Sequence, residues 1–149
     1  MIGGLAPALA LSGIPGVMSF EMLMLVTAVA LGLAQLVLAA AFLRRQYGLT
    51  WAAGPRDDEV PPLYGVGGRV QRAFANFMET FPFFAVAVLA AEVLGRHNGW
   101  TLIGAALYVV ARIVYLPLYA FGVFLVRSLV WNLATIGVVL VIVGLFQAP

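Results

Sequence analysis

Residues 22–43 read MLMLVTAVALGLAQLVLAAAFL, a run of 22 residues without one charged side chain. A helix of this length, at about 1.5 Å per residue, is long enough to cross about 30 Å of hydrocarbon. The run ends at Arg44 and Arg45, which mark the edge of the apolar region. This stretch therefore predicts a membrane-spanning helix.

The rest of the chain has the composition of an integral membrane protein. Of its 149 residues 64% are hydrophobic and only 9% are charged, and the mean hydropathy is +1.06. Four apolar segments predict helices at about residues 20–44, 69–94, 100–119 and 123–146. A polar loop, residues 45–68, joins the first two helices, and the later connections are short. We expect a single membrane domain, residues 1–149, folded as an all-α four-helix bundle with up-down-up-down order, preceded by an irregular lead-in at residues 1–19.

The eight basic residues, all arginine, indicate the orientation of the bundle. Six of them fall near the loop side: Arg44, Arg45, Arg56, Arg69, Arg72 and Arg127. Arg96 lies at the opposite end. Because positively charged segments near helix ends stay in the cytoplasm, we expect a cytoplasmic loop and two non-cytoplasmic termini.

Several classes of function are disfavoured by the same residues. Arginines dispersed among membrane segments form no continuous basic groove, so nucleic acid is not an expected partner. The chain has no cysteine, and any thiol chemistry must therefore use a thiol brought by a substrate. The lone His97 sits beside Asn98 and Gly99 in a predicted turn, which favours a loop histidine over a metal ligand. We expect no metal site.

Two polar stripes run along the second and third segments. In the second, residues three or four apart are Arg69, Arg72, Asn76 and Glu79; in the third they are Tyr108, Arg112, Tyr115 and Tyr119. Residues at these spacings share one helix face. We expect each face to lie toward the bundle interior or a subunit interface, because lipid offers no partner to a charge or an amide. Two readings remain open: a network that only holds helices together, or a site that grips a charged ligand.

Residues 72–82 read RAFANFMETFP and resemble the R-A-x-x-N-x-x-E-x-x-P signature of the family of membrane-associated proteins in eicosanoid and glutathione metabolism (MAPEG). The spacing of Arg112, Tyr115 and Tyr119 and the position of Arg127 at the start of the fourth segment are also similar, so that the resemblance covers about residues 20–146. It implies a left-handed bundle assembled as a homotrimer in a membrane, of the short type expected in a bacterial inner membrane. It also implies a glutathione site between neighbouring subunits at the cytoplasmic end.

The resemblance implies a role for each polar position. The residues expected to bind glutathione are Arg72, Asn76, Glu79, Arg112, Tyr115 and Tyr119, with Arg44 and Arg45 reaching in from the next subunit. Arg127 is the expected catalytic residue, because a fixed positive charge favours thiolate over thiol and each unit of pKa lowering from about 8.5 corresponds to about 1.4 kcal/mol. The activated cosubstrate would attack a lipophilic electrophile that enters from the bilayer, as in a membrane glutathione transferase or peroxidase.

Two other classes of function stay open at this stage. One is a non-enzymatic membrane scaffold, or a protein that binds a lipid or another small molecule, with the same fold. Phe74, Ala75 and Thr80 differ from residues that many family members have there, so another thiol or an anionic lipid is an alternative ligand. The other class is a small transporter, which the lack of repeated halves disfavours.

Overall fold

The computed structural model describes residues 18–147, and all the regular structure in that range is helical. The helices are α1 (Phe20–Tyr47), α2 (Leu49–Ala53), α3 (Gly65–Leu94), α4 (Gly99–Phe121) and α5 (Phe124–Leu145). All except the short α2 are long and apolar enough to cross a membrane. The prediction of an all-α membrane protein with four spanning helices is confirmed. The predicted irregular lead-in lies largely outside the described residues.

The connection between the first two spanning helices is more ordered than its composition predicts. α1 continues to Tyr47 and α3 begins at Gly65, four residues earlier than expected, while α2 lies between them. The glycines at the start of α3 lie within the helix. They allow α1 and the preceding loop to pack closely against its backbone. An added Cβ at Gly67 would lie 3.1 Å from Cβ of Phe42, and one at Gly68 would collide with the carbonyl oxygen of Leu63. The loop is thus packed onto the helix start.

Side-chain caps and left-handed glycines define the other helix ends. Ser19 accepts a hydrogen bond from the backbone N–H of Met22 at 3.1 Å and caps α1. Asn98 forms a capping box with Thr101 at the start of α4. Gly95, with φ of 61°, terminates α3 in the left-handed conformation that glycine adopts without strain. These signals make the α3–α4 turn short and keep the two helices antiparallel.

α4 packs closely against both α5 and α3, and this packing positions the polar stripe of α4. An added Cβ at Gly104 would lie 2.6 Å from the carbonyl oxygen of Gly137, so the α4 and α5 backbones nearly touch. Small residues allow this approach between membrane helices. On the other side of α4, the ring of Tyr108 stacks on Phe84 of α3 with centroids 4.0 Å apart. The residues that follow Tyr108 on the same face therefore point toward α3.

Candidate functional site

A buried arginine lies at the centre of the contact between α3 and α4. Arg112 is 1% exposed. Its Nη1 donates a hydrogen bond to Oδ1 of Asn76 at 2.9 Å, and its Nη2 donates to Oγ1 of Thr80. The hydroxyls of Thr80 and Tyr108 are 3.2 Å apart and share a further hydrogen bond. Asn76 of the α3 stripe and Arg112 of the α4 stripe therefore meet where the two helices pack.

The positive charge of Arg112 is surrounded by aromatic rings instead of by an acid. Its guanidinium carbon lies 5.5 Å from the ring centroid of Tyr108 and 5.4 Å from that of Tyr115, distances typical of cation–π contacts. Its Nε is buried and has no hydrogen-bond partner. Within residues 18–147 the ion pairs closer than 4.0 Å all involve His97, so no carboxylate lies within that distance of Arg112, and Glu79 acts on its charge only from farther away. A buried cation without a counter-ion is costly, and it favours the entry of an anionic group nearby.

A cavity of about 230 Å³ opens beside this network, between α3, α4 and α5. Its lining consists of Asn76, Tyr115, Tyr119, Arg127, Ser128, Trp131 and Asn132. The guanidinium carbon of Arg127 lies 4.5 Å above the ring centroid of Tyr119, which fixes its position at the mouth of the cavity. The rings of Tyr115 and Tyr119 are 5.5 Å apart and form one wall. Hydroxyls, two amides and a cation thus line one space beside the apolar core of the bundle.

Glu79, the acid of the α3 stripe, is exposed and lies outside the cavity lining. Asn76 donates its Nδ2 hydrogen bond to Oε2 of Glu79 at 3.3 Å, while its Oδ1 accepts from Arg112. The amide therefore connects an exposed carboxylate to a buried guanidinium. Arg72 is also exposed, one turn closer to the loop, and does not line the cavity.

The two arginines at the end of α1 are placed apart from the cavity in the single chain. Both are exposed. Arg44 lines a groove of about 510 Å³ between α1 and α3, and Arg45 lines a smaller recess beside Tyr64. The structure therefore brings together five of the nine predicted site residues, Asn76, Arg112, Tyr115, Tyr119 and Arg127, and joins Glu79 to them through Asn76.

Three residues that were not predicted from the sequence, Thr80, Trp131 and Asn132, complete the site. Thr80 bridges Arg112 and Tyr108, although from sequence it was noted only as a departure from the family pattern. A usable signal was present, because Thr80 follows Asn76 by four residues and shares its helix face. Trp131 and Asn132 line the cavity on the apolar α5, where a lone polar residue one turn after Ser128 was the available clue.

A comparison with known proteins gives one result for this chain. Its residues 24–147 match the model of the MAPEG family. No curated protein and no solved structure gave a match. The family model covers most of the chain, including three spanning helices in full, the first from residue 24 onward, and every residue of the cavity. The chain therefore belongs to the MAPEG family.

Proposed function

We propose that this protein is a glutathione-dependent membrane enzyme of the transferase or peroxidase type. The observation that carries the proposal is the position of Arg127, a guanidinium held over the Tyr119 ring at the mouth of a polar cavity. The family includes glutathione transferases and peroxidases as well as other membrane proteins, and the cavity favours the enzymes among them.

Arg127 is suited to activating the thiol of glutathione. A fixed positive charge near sulfur favours the thiolate, which is the nucleophilic form. The hydroxyls of Tyr115, Tyr119 and Ser128 face the same space and can donate hydrogen bonds to that sulfur. The protein can thus supply a reactive thiolate although it has no cysteine.

The charged ends of glutathione match the residues around the cavity. Arginine forks bind carboxylates, and a glutamate binds the ammonium group. The cavity of about 230 Å³ lies below the roughly 300 Å³ at which pockets for drug-sized ligands begin. A tripeptide would therefore extend outward toward the exposed Glu79 and Arg72. Arg44 and Arg45 of a neighbouring subunit would close it there, so that a homotrimer is part of the proposal.

The second substrate is a lipophilic electrophile that comes from the bilayer. Phe121, Phe124 and Leu125 surround the α4–α5 turn next to Arg127 and are 81%, 72% and 71% exposed. An apolar molecule can approach the sulfur along these side chains. The thiol gives up its proton, the sulfur forms a bond to an electrophilic carbon, and the leaving group departs with the electron pair of the broken bond.

The proposed orientation follows from the arginine distribution, and the proposed membrane from the resemblance to the short bacterial type. With the loop in the cytoplasm, the cavity opens at the cytoplasmic end of the bundle, where a water-soluble tripeptide can reach it. We assign the protein to a bacterial inner membrane with both termini on the other side.

The proposal is tested by the ultraviolet absorbance of bound thiolate. The protein is purified in detergent and titrated with glutathione, and conjugation of a model electrophile is measured in parallel. Arg127→Gln should abolish the thiolate signal, whereas Arg96→Gln, which removes an arginine from the opposite end of the bundle, should retain it. If the unmodified protein gives no thiolate signal at saturating glutathione, the enzymatic proposal is rejected.

A second candidate function is binding of an anionic lipid without catalysis. The groove between α1 and α3 favours it, because apolar residues such as Leu36, Leu43 and Phe74 line its length and Arg44 and Arg56 lie at its loop end. Such a groove suits an acyl chain with an acidic headgroup. Co-purified anionic lipid in a protein that gives no thiolate signal would favour this function over the enzyme.

A further inference from the structure

A second polar cluster lies at the end of the bundle opposite the Arg127 cavity. It consists of Glu21 from the start of α1, Glu92 from the end of α3 and His97 from the α3–α4 turn. Glu21 is only 3% exposed, although its side chain ends in a carboxyl group. The proposed reaction uses none of these three residues, so their arrangement calls for another explanation.

The imidazole of His97 stands between the two carboxylates. Its Nδ1 lies 3.3 Å from Oε2 of Glu21, and its Nε2 lies 3.7 Å from Oε2 of Glu92. Each acid also accepts a hydrogen bond from a hydroxyl: Thr101 donates to Glu21 at 2.5 Å, and Ser19 donates to Glu92 at 2.6 Å. The ring therefore connects two helices through its opposite edges.

The charge of the ring decides whether these contacts are attractive. Nδ1 is buried and makes no directed hydrogen bond, so its interaction with Glu21 is one of charge with charge. A protonated ring carries a positive charge and an N–H on each edge, whereas a neutral ring turns a lone pair toward one of the acids. Deprotonation would leave the buried carboxylate of Glu21 without a nearby cation.

The other groups around His97 do not replace its charge. Arg96, the neighbouring cation in the turn, donates to the carbonyl oxygen of Gln147 at 3.2 Å. Asn98 donates to the carbonyl oxygen of Gly144 at 2.9 Å, and neither contact changes with protonation of an imidazole. α5 brings no titratable group to this end, since residues 128–147 contain no acid, base or tyrosine. Among the described residues, His97 is therefore the one titratable cation between the two acids.

We infer that His97 is a proton-dependent clamp that ties α1 and α3 to the α3–α4 turn. The clamp is closed while the ring is protonated, and it opens when the ring loses its proton. Opening releases the α1 and α3 contacts, while Asn98 and Arg96 keep the turn attached to α5. The bundle should lose stability as the medium on this side of the membrane becomes alkaline.

Thermal unfolding in detergent without glutathione tests the clamp, with Tm measured at about pH 6 and at about pH 8.5. The unmodified protein should lose roughly 3–6 °C more in Tm between the two pH values than His97→Gln, which keeps a polar side chain but does not titrate. Arg96→Gln, the matched control in the same turn, should keep the difference of the unmodified protein. An equal pH dependence in His97→Gln and the unmodified protein would overturn the inference.

If His97→Gln does not fold, a second measurement on the unmodified protein tests the clamp. The chain has one histidine, so the carbon-bound ring protons of His97 give an unambiguous NMR signal in the unmodified protein. The pH at which this signal changes should coincide with the pH at which Tm falls; a fall in Tm at another pH overturns the inference. Both readouts omit the thiol, so they are independent of the proposed reaction.

Discussion

Replacing Thr80 with valine removes one hydroxyl from the α3–α4 contact and leaves the shape of the side chain nearly unchanged. That hydroxyl accepts a hydrogen bond from Nη2 of Arg112 and shares another with the hydroxyl of Tyr108, 3.2 Å away. Arg112 is 1% exposed and Tyr108 is fully buried. Neither group can turn to water when its partner is removed, so each loses a hydrogen bond inside the bundle.

The expected loss of stability follows from these two contacts. A hydrogen bond to a charged group contributes about 1.5–3 kcal/mol. A neutral bond between membrane helices contributes about 0.6 kcal/mol. The sum is about 2–4 kcal/mol, and at about 2–4 °C per kcal/mol it corresponds to a fall in Tm of roughly 4–16 °C. This is larger than the effect of most surface substitutions.

Thermal unfolding of the detergent-solubilised protein measures the effect, and Thr80→Ser is the matched control. Serine keeps the hydroxyl and loses a methyl group, so it should lower Tm by less than valine does. The decisive result is which variant has the lower Tm. If Thr80 acted only through packing, valine would be the milder change, because it keeps the side-chain volume. A Thr80→Val protein as stable as Thr80→Ser would refute the role assigned to the hydroxyl.

Two further outcomes are expected. Arg127→Ala should lower the turnover of the proposed conjugation more than it weakens glutathione binding, and Glu79→Ala should mainly weaken binding; steady-state kinetics with a binding titration would show the reverse pattern if the two roles are exchanged. Gly137→Ala should destabilise the bundle by about 1–3 kcal/mol, because the added Cβ would lie 2.7 Å from the backbone nitrogen of Tyr108 and force α4 away from α5. Gly99→Ala, where no atom lies within 4 Å of an added Cβ, is the control for that measurement.

The features that could be predicted from sequence are those that depend on the residues of a single helix. The uncharged run at residues 22–43 is long enough to cross a bilayer whatever surrounds it. Periodicity also indicated that Asn76 and Arg112 face away from lipid, because lipid excludes polar faces and leaves the bundle interior or a subunit interface as their place. Bond partners were harder to predict, since they depend on the rotation of two helices about their axes.

Thr80 and His97 show why the rest needed coordinates. Thr80 and Glu79 are adjacent, yet Thr80 meets Arg112 while Glu79 is exposed, and a rotation of α3 by one residue would exchange them. His97 reads as an ordinary turn residue because its partners are distant in sequence. Glu21 lies 76 positions earlier in the chain and reaches His97 only through packing of α1 beside the turn. Side-chain periodicity carries no information about such contacts.

Arg112 and Arg127 lie at different depths in the bundle, and this difference suits them to different roles. Arg112 is nine residues before the end of α4, about 14 Å along the axis, whereas Arg127 is three residues after the start of α5, about 5 Å. The deep cation is enclosed by tyrosines and an amide, so it can supply a fixed positive field but has little freedom to follow a reacting atom. The shallow cation stands where the apolar residues of the α4–α5 turn begin. A sulfur held near Arg127 would therefore lie at the boundary between water and hydrocarbon, the one level that a soluble thiol and a lipid-dissolved electrophile can both reach.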